Sequence, residues 1–310
     1  MTPPASVDDR VERIATFLLY SVVLACSTLG CSDGTTSGIA TAPKPVWVQT
    51  WSDEFEGASG TRVDSTKWRY DTADGCKEGI CGWGNNEKQY YTDAPENIAL
   101  NGQGQLMIVA RQASPGLTCH YGPCKYTSGK INTRGKMSAA PGRIEARIKL
   151  PVGQGLWSGF WMLGQGHPGI PWPACGELDV MENKGSEPGT TSSAVHGPGY
   201  SGNTPFAHSH SLTRSNTAED FHTFAVEWDS AHVRFFVDDT AHYGITHEAM
   251  EKFGQSVLDR SFYLIINLAV GGRFDGDPQS DAIFPATMLV DYVRVYTRCS
   301  SAACAAGSGR

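Results

Sequence analysis

Gly176-Glu177-Leu178-Asp179-Val180-Met181-Glu182 places three carboxylates within six positions of a run that otherwise suits a strand. Val180 and Met181 favour extended structure, and neither Gly nor Pro interrupts the run after Gly176. Successive strand side chains point to opposite faces, so Glu177 and Asp179 share one face. Glu182 lies five positions from Glu177, and a regular strand sends it to the other side. Two readings follow. In one, Glu177 and Asp179 line a wet face and Glu182 ends the strand. In the other, one extra residue near Val180–Met181 forms a β-bulge, which resets the alternation and returns Glu182 to the face of Glu177. Two carboxylates on one face, roughly 5 Å apart, are what a retaining glycosidase uses: one attacks the sugar and the other trades a proton with the leaving oxygen. A third acid nearby raises its neighbours' pKa values and helps keep the proton donor protonated.

Outward from this segment, short alternating runs recur between turn residues: Gln105–Arg111, Arg143–Leu150, Phe221–Trp228, Val233–Val237 and Met288–Tyr296. Only His247–Phe253 has a helical pattern. Thirty-five Gly and 17 Pro in 310 residues supply many turns, and no solenoid repeat is visible. The expectation is an all-β sandwich over 46–298 as one domain. The net charge of −7 argues against a nucleic-acid partner held through phosphates.

Before that domain, an apolar stretch from Ile14 to about Leu29 has the length of a secretory core rather than of a membrane-spanning helix. Residues 1–31 are therefore expected to be a targeting segment. Val23-Leu24-Ala25-Cys26 and Thr28-Leu29-Gly30-Cys31 each approximate a bacterial lipoprotein cleavage box, leaving lipidation at Cys26 or Cys31, or plain secretion, both open. Export is expected either way, as a secreted protein or as a lipid-anchored one in the periplasm or at the cell surface. Residues 32–45, rich in Ser, Thr, Gly, Ala and Pro, read as a flexible linker. Of 9 Cys, six form three equally spaced pairs, Cys76/Cys81, Cys119/Cys124 and Cys299/Cys304, the last in a tail over 299–310. This spacing departs from that of zinc sites, and local disulfides in an oxidising compartment are the simpler reading. Cys175 is left over and is expected as a small buried residue beneath the site.

The string GELDVME resembles the E-x-D-x-x-E signature of glycoside hydrolase family 16, in its laminarinase branch. GLWSGFWMLG before it and AVHGPGYSG after it share the likeness, which runs from about Trp51 to Tyr296. The resemblance implies a curved β-jelly-roll with a concave cleft and retaining, internal cleavage of β-1,3-glucan or mixed β-1,3/1,4-glucan. Glu177 would be the nucleophile, Glu182 the acid/base and Asp179 their positioning partner. A glucan-recognition protein without turnover, or a family member acting on another β-linked polysaccharide, are the alternatives. The first usually lacks one or both glutamates. No organic cofactor is implied, and a monomer acting on polysaccharide is expected.

Further residues follow from pattern and resemblance together. Ile144, Ala146 and Ile148 alternate with Arg143, Glu145, Arg147 and Lys149, so the charged four share a face, which is either merely wet or, as the resemblance implies, borders the cleft with Glu145 on sugar hydroxyls and Arg147 supporting the carboxylates. Trp157, Trp161 and Trp172 are core residues or sugar platforms, since an indole face stacks on a pyranose and its N–H binds a hydroxyl. Trp172, between Pro171 and Pro173, is the strongest cleft candidate. The resemblance puts His196 beside the acid/base and Asn86 at the glycone side, while His208, His210 and His222 read as solvated. Gly271-Gly272-Arg273-Phe274 stands where many laminarinases have G-G-N-W, which leaves that loop's sugar contacts open. Asp291 is one carboxylate in an apolar strand and needs a basic partner or a cation. The resemblance offers calcium, held by Asp291 with backbone carbonyls at Glu54 and Gly102.

Overall fold

The computed structural model describes residues 45–212 and 220–299. The targeting segment, nearly all of the linker and Cys304 lie outside the described residues, and with them the lipidation candidates Cys26 and Cys31 and the pairing of Cys299 with Cys304. The described chain is a β-jelly-roll sandwich. One sheet carries, in spatial order, Ala207–Ser211, Thr190–His196, Glu177–Lys184, Leu156–Gly164, Phe262–Val270, Lys130–Asn132 and Arg69–Tyr70. The other follows Thr240–Thr246, His232–Val237, His222–Trp228, Arg143–Lys149, Ala286–Arg298, Leu106–Gln112, Tyr126–Ser128 and Gln89–Tyr91. Trp47–Asp53 and Ile98–Leu100 add to this second sheet at Ala286–Arg298 and Leu106–Gln112.

The alternating runs of the sequence are the strands, shifted at most by a residue or two at their ends. Their apolar positions meet between the sheets. Ile144, Ala146, Ile148, Phe224, Val226, Met288, Val290 and Val293 come from one side, and Phe160, Met162, Leu178, Val180, Met181, Leu264, Ile266 and Leu268 from the other. Phe262–Val270, in the middle of its sheet, is buried throughout. The one α-helix among the described residues, His247–Glu251, starts where the Thr246 hydroxyl accepts the Ala249 N–H at 3.2 Å, an ordinary N-cap. Cys76–Cys81 and Cys119–Cys124 are disulfides, each pinning a surface loop.

Two departures from regular pairing shape the surfaces. In Glu177–Lys184, Asp179 faces Trp161 and Met181 faces Phe160, leaving Val180 as the extra residue. On the other side, the two residues between Asp179 and Glu182 stand against the single residue between Ala194 and Ser192. Val180 and Met181 both enter the core, and the alternation restarts one residue later. In Ala286–Arg298, Val290 and Tyr292 pair with Ile148 and Arg147, so Asp291 is the extra residue there.

Phe160 is fully buried opposite Met181 and Ile266, beneath the bulge. Phe160→Ala should destabilise the fold by about 3–5 kcal/mol, read as a lower urea midpoint at unchanged m-value. Val48→Ala, at a surface position, should shift it by less than ~0.5 kcal/mol. Equal midpoints for the two variants would contradict this packing.

Candidate active site

The bulge settles the two readings of the acidic segment. Leu178, Val180 and Met181 face the core, so Glu177, Asp179 and Glu182 all stand on the opposite face of their sheet. Gly176 turns the chain into this strand at φ 84°, a left-handed conformation that suits glycine. Across the next strand, Trp157, Gly159, Trp161 and Leu163 share the same face, with Gly159 opposite Glu182 and Leu163 opposite Glu177. A side chain at Gly159 would crowd Asn267 and Trp161, so its absence keeps the floor open beside Glu182.

Each glutamate has an indole donor. The Trp172 N–H donates to Glu177 Oε2 at 2.6 Å, and the Trp157 N–H donates to Glu182 Oε1 at 3.2 Å. Trp172 is 44% exposed, which leaves its ring free to meet a ligand. Trp157 is stacked on Phe274 at 4.8 Å between centroids. Trp161 donates to Asn267 Oδ1 at 2.7 Å and packs on the small cluster of Leu163, Cys175, Tyr263 and Ile265. Cys175 is thus a buried residue under the site, and burial pushes its thiol up to about 11, far from a reactive thiolate.

Burial and crowding raise the pKa values of all three acids. Burial, then the charge of Glu177, raises Glu182 to about 7, against the opposing Trp157 hydrogen bond. Burial and the charge of Asp179 raise Glu177 well above the usual carboxylate range, and burial likewise raises Asp179. His196 stands opposite Glu177, with Nε2 3.2 Å from Asp179 Oδ2. Burial works to lower its pKa, but the hydrogen bond and charge of Asp179 raise it to about 8. One ligating atom each from Glu177, Asp179 and His196 lies within 4.8 Å of the others. Crowding and burial thus favour the neutral forms of the acids, while the carboxylate of Asp179 favours the cationic form of His196.

Several expected site residues stand elsewhere. Glu145 and Arg147 belong to the other sheet, and because Ile144, Ala146 and Ile148 fill the core, both point to the sandwich's far surface. There Glu145 accepts from Arg143 at 2.9 Å and from the Tyr296 hydroxyl at 2.9 Å, while Arg147 pairs with Asp291 at 2.7 Å. Neither borders the carboxylates. His196 serves the Glu177–Asp179 side, not the Glu182 side. Asn86 is exposed at φ 60°, with its side chain accepting from Lys88 at 3.0 Å. Its loop nevertheless adjoins the floor, since the Asn85 carbonyl accepts the Arg273 N–H at 3.0 Å and Phe274 follows onto Trp157. His222 is buried and 2.7 Å from Asp238, not solvated.

Of the expected calcium set, the one side-chain ligand, the Asp291 carboxylate, pairs with Arg147 at 2.7 Å, which supplies the basic partner that was the alternative to a cation. The Glu54 carboxylate likewise takes both guanidinium contacts of Arg294, at 3.0 and 2.8 Å.

Three contributors were not singled out from sequence. Asn267 links Trp161 to the Tyr91 hydroxyl at 3.0 Å, and its signal was a lone amide in the apolar run Phe262–Val270. Lys130 is buried with its ammonium 3.9 Å from the Trp83 ring and 5.3 Å from that of Trp161. Glu87, hydrogen-bonded to Gln89 at 2.6 Å, is raised to about 6 by burial, against the charge of Lys130.

Two half-buried carboxyl groups, each with an indole donor, on the open face of a β-sandwich are the arrangement of a glycoside hydrolase. The comparisons agree, and the chain belongs to the glycosyl hydrolases family 16, whose model matches residues 83–281. It is 38% identical over 305 residues to a beta-glucanase of Rhodothermus marinus, covering 95% of this chain and 98% of that protein. Among solved structures it resembles an endo-beta-1,3-glucanase from Pyrococcus furiosus, at TM-score 0.77 and 42% identity over 82% of this chain and 96% of the other. It also resembles the laminarinase catalytic domain from Thermotoga maritima, at TM-score 0.76 and 38% identity over 82% of this chain and 99% of the other.

The two indoles should have separable effects. Trp172→Phe removes the donor that favours an anionic Glu177 and should lower kcat about 10- to 100-fold, the worth of a hydrogen bond to a charged acceptor. Trp157→Phe keeps the stack on Phe274 but removes the donor that holds Glu182 down, so its pKa rises above about 7. Activity that needs protonated Glu182 then persists to higher pH, and the alkaline limb of the kcat/KM profile moves up. A downward move of that limb would contradict the assignment.

Proposed function

We propose that this enzyme is a retaining endo-hydrolase of β-1,3-glucan or mixed β-1,3/1,4-glucan. The observation that carries the reading is the bulge at Val180, which sets Glu177 and Glu182 on one face. Glu177 attacks the anomeric carbon as the glycosidic C–O bond breaks, and Glu182 gives its proton to the departing oxygen. Glu182, now a carboxylate, takes a proton from water while that water's oxygen attacks the same carbon and releases Glu177. Asp179, held beside His196 at 3.2 Å, flanks Glu177 and positions it for attack as an anion. Trp172 steadies the anion. Trp161 and Trp172 offer indole surface to the sugar rings. The substrate class draws support from the named relatives. The chemistry uses side chains alone, with no organic cofactor.

Export fits the same reading, since two local disulfides favour an oxidising compartment. Cys26 or Cys31 remains the proposed lipid-attachment site, and palmitate labelling of the two single Cys variants tests it.

Glu177→Gln and Glu182→Gln should each lower laminarin hydrolysis ~10³-fold or more while the circular dichroism spectrum stays that of the parent. Azide should restore turnover of Glu177→Gly and yield an α-glycosyl azide. The same product from Glu182→Gly would reverse the roles. No reducing-sugar release from laminarin, lichenan or barley glucan by the parent would favour recognition without turnover.

A further inference from the structure

Toward the Lys130–Asn132 and Arg69–Tyr70 edge of the catalytic sheet lies a cavity of about 610 Å³, lined by Arg69, Arg134, Lys136, Gln165, His167 and Tyr263 among others. Its position relative to the acids follows from strand register. Tyr263 stands opposite Leu163, and Leu163 opposite Glu177. Tyr263 is therefore on the same face as the nucleophile and two strand spacings away, roughly 10 Å. A sugar chain lying across the strands from the carboxylates toward this edge passes over it.

The charge there is unusual for this molecule. The whole chain is acidic, at −7. Yet Arg69, Arg134 and Lys136 converge on one cavity, and none of the three makes an ion pair with a carboxylate among the described residues. Asp71 is the acid whose charge reaches His167 and Tyr263, and it lies 3.8 Å from Lys130, which already answers it. Burial, with the charges of Arg134 and Lys130, pushes His167 below its ordinary value, as a positive field requires. The Tyr263 hydroxyl, 3.3 Å from His167 Nδ1, adds a polar wall. Sugar hydroxyls accept hydrogen bonds from such side chains, but only an oxyanion also answers their charge, and arginine forks match its geometry.

We propose that this cavity is a subsite for an oxyanion, a carboxylate or a sulfate ester, carried by a sugar one or two residues from the bond that is cut. The proposal rests on the hydrolase reading above and deepens it: the preferred polysaccharide bears negative charge.

The test compares neutral laminarin with laminarin partly oxidised to carboxylate at C6 and with lightly sulfated laminarin. The parent should show a higher kcat/KM on at least one charged substrate than on the neutral one, and the group preferred identifies the oxyanion. High salt should shrink the preference, as screening demands. In an Arg134→Gln/Lys136→Gln double variant, the charged-to-neutral ratio should fall about tenfold, as the loss of one charge-assisted hydrogen bond gives. Taking a ratio cancels any general loss of folded enzyme, and Arg69→Gln alone should move the ratio the same way. A parent ratio at or below one, or a ratio the variants leave in place, would overturn the subsite. Failure of the parent to cut neutral and charged glucans alike would sink the hydrolase reading instead. Calorimetry with the same oligosaccharides would then decide the subsite: charge-dependent binding lost in the double variant upholds it, and equal binding of neutral and charged sugars ends it.

Discussion

A single residue without a cross-strand partner governs this site. Strand side chains alternate strictly, so two acids five positions apart cannot share a face in a regular ladder. Val180 breaks the count, and both Val180 and Met181 then fall into the core, anchored over Phe160. Core packing thereby holds the bulge, and the bulge holds Glu182 on the side of Glu177. That one irregularity brings Glu182 to the face that already carries Trp157, Gly159 and the cross-strand His196.

Crowding follows, and it supplies the chemistry. Three carboxyl groups on one patch of sheet cannot all ionise at moderate cost, so burial and mutual repulsion raise their pKa values. What differs among them is the company each keeps. Glu177 receives a short indole hydrogen bond and has Asp179 beside it, while Glu182 has only the longer bond from Trp157. One is equipped to become an anion in place and the other to deliver its proton. The Glu145 and Arg147 network on the far surface is a contrast. There every acid has an arginine or a tyrosine hydroxyl on it, so each carboxylate is paired.

Much of this was legible in the chain, because alternation is local. It gave the strands, the shared face of Glu145 and Arg147, and the shared face of Trp157 and Trp161. The GELDVME string suggested the bulge because only an offset makes its acids useful together. What alternation cannot give is which of two sheets a strand joins. Glu145 and Arg147 lie on one face as expected, yet on the wrong side of the sandwich, since Arg143–Lys149 pairs with His222–Trp228 and Ala286–Arg298. Asp291 stands alone among apolar neighbours in sequence, but a second bulge swings it outward to Arg147. Asn267, Lys130 and Phe274 reach the floor through partners more than thirty positions away in sequence, and no local pattern announces such contacts.

The most direct test of the shared face is stereochemical. A short distance between the two glutamates permits a covalent intermediate and retention, whereas a wide gap leaves room only for water and gives inversion. Proton NMR of the first product formed from a β-glucan oligosaccharide, read before mutarotation, separates these outcomes. The account predicts that the β-anomer appears first. Initial release of the α-anomer would contradict it.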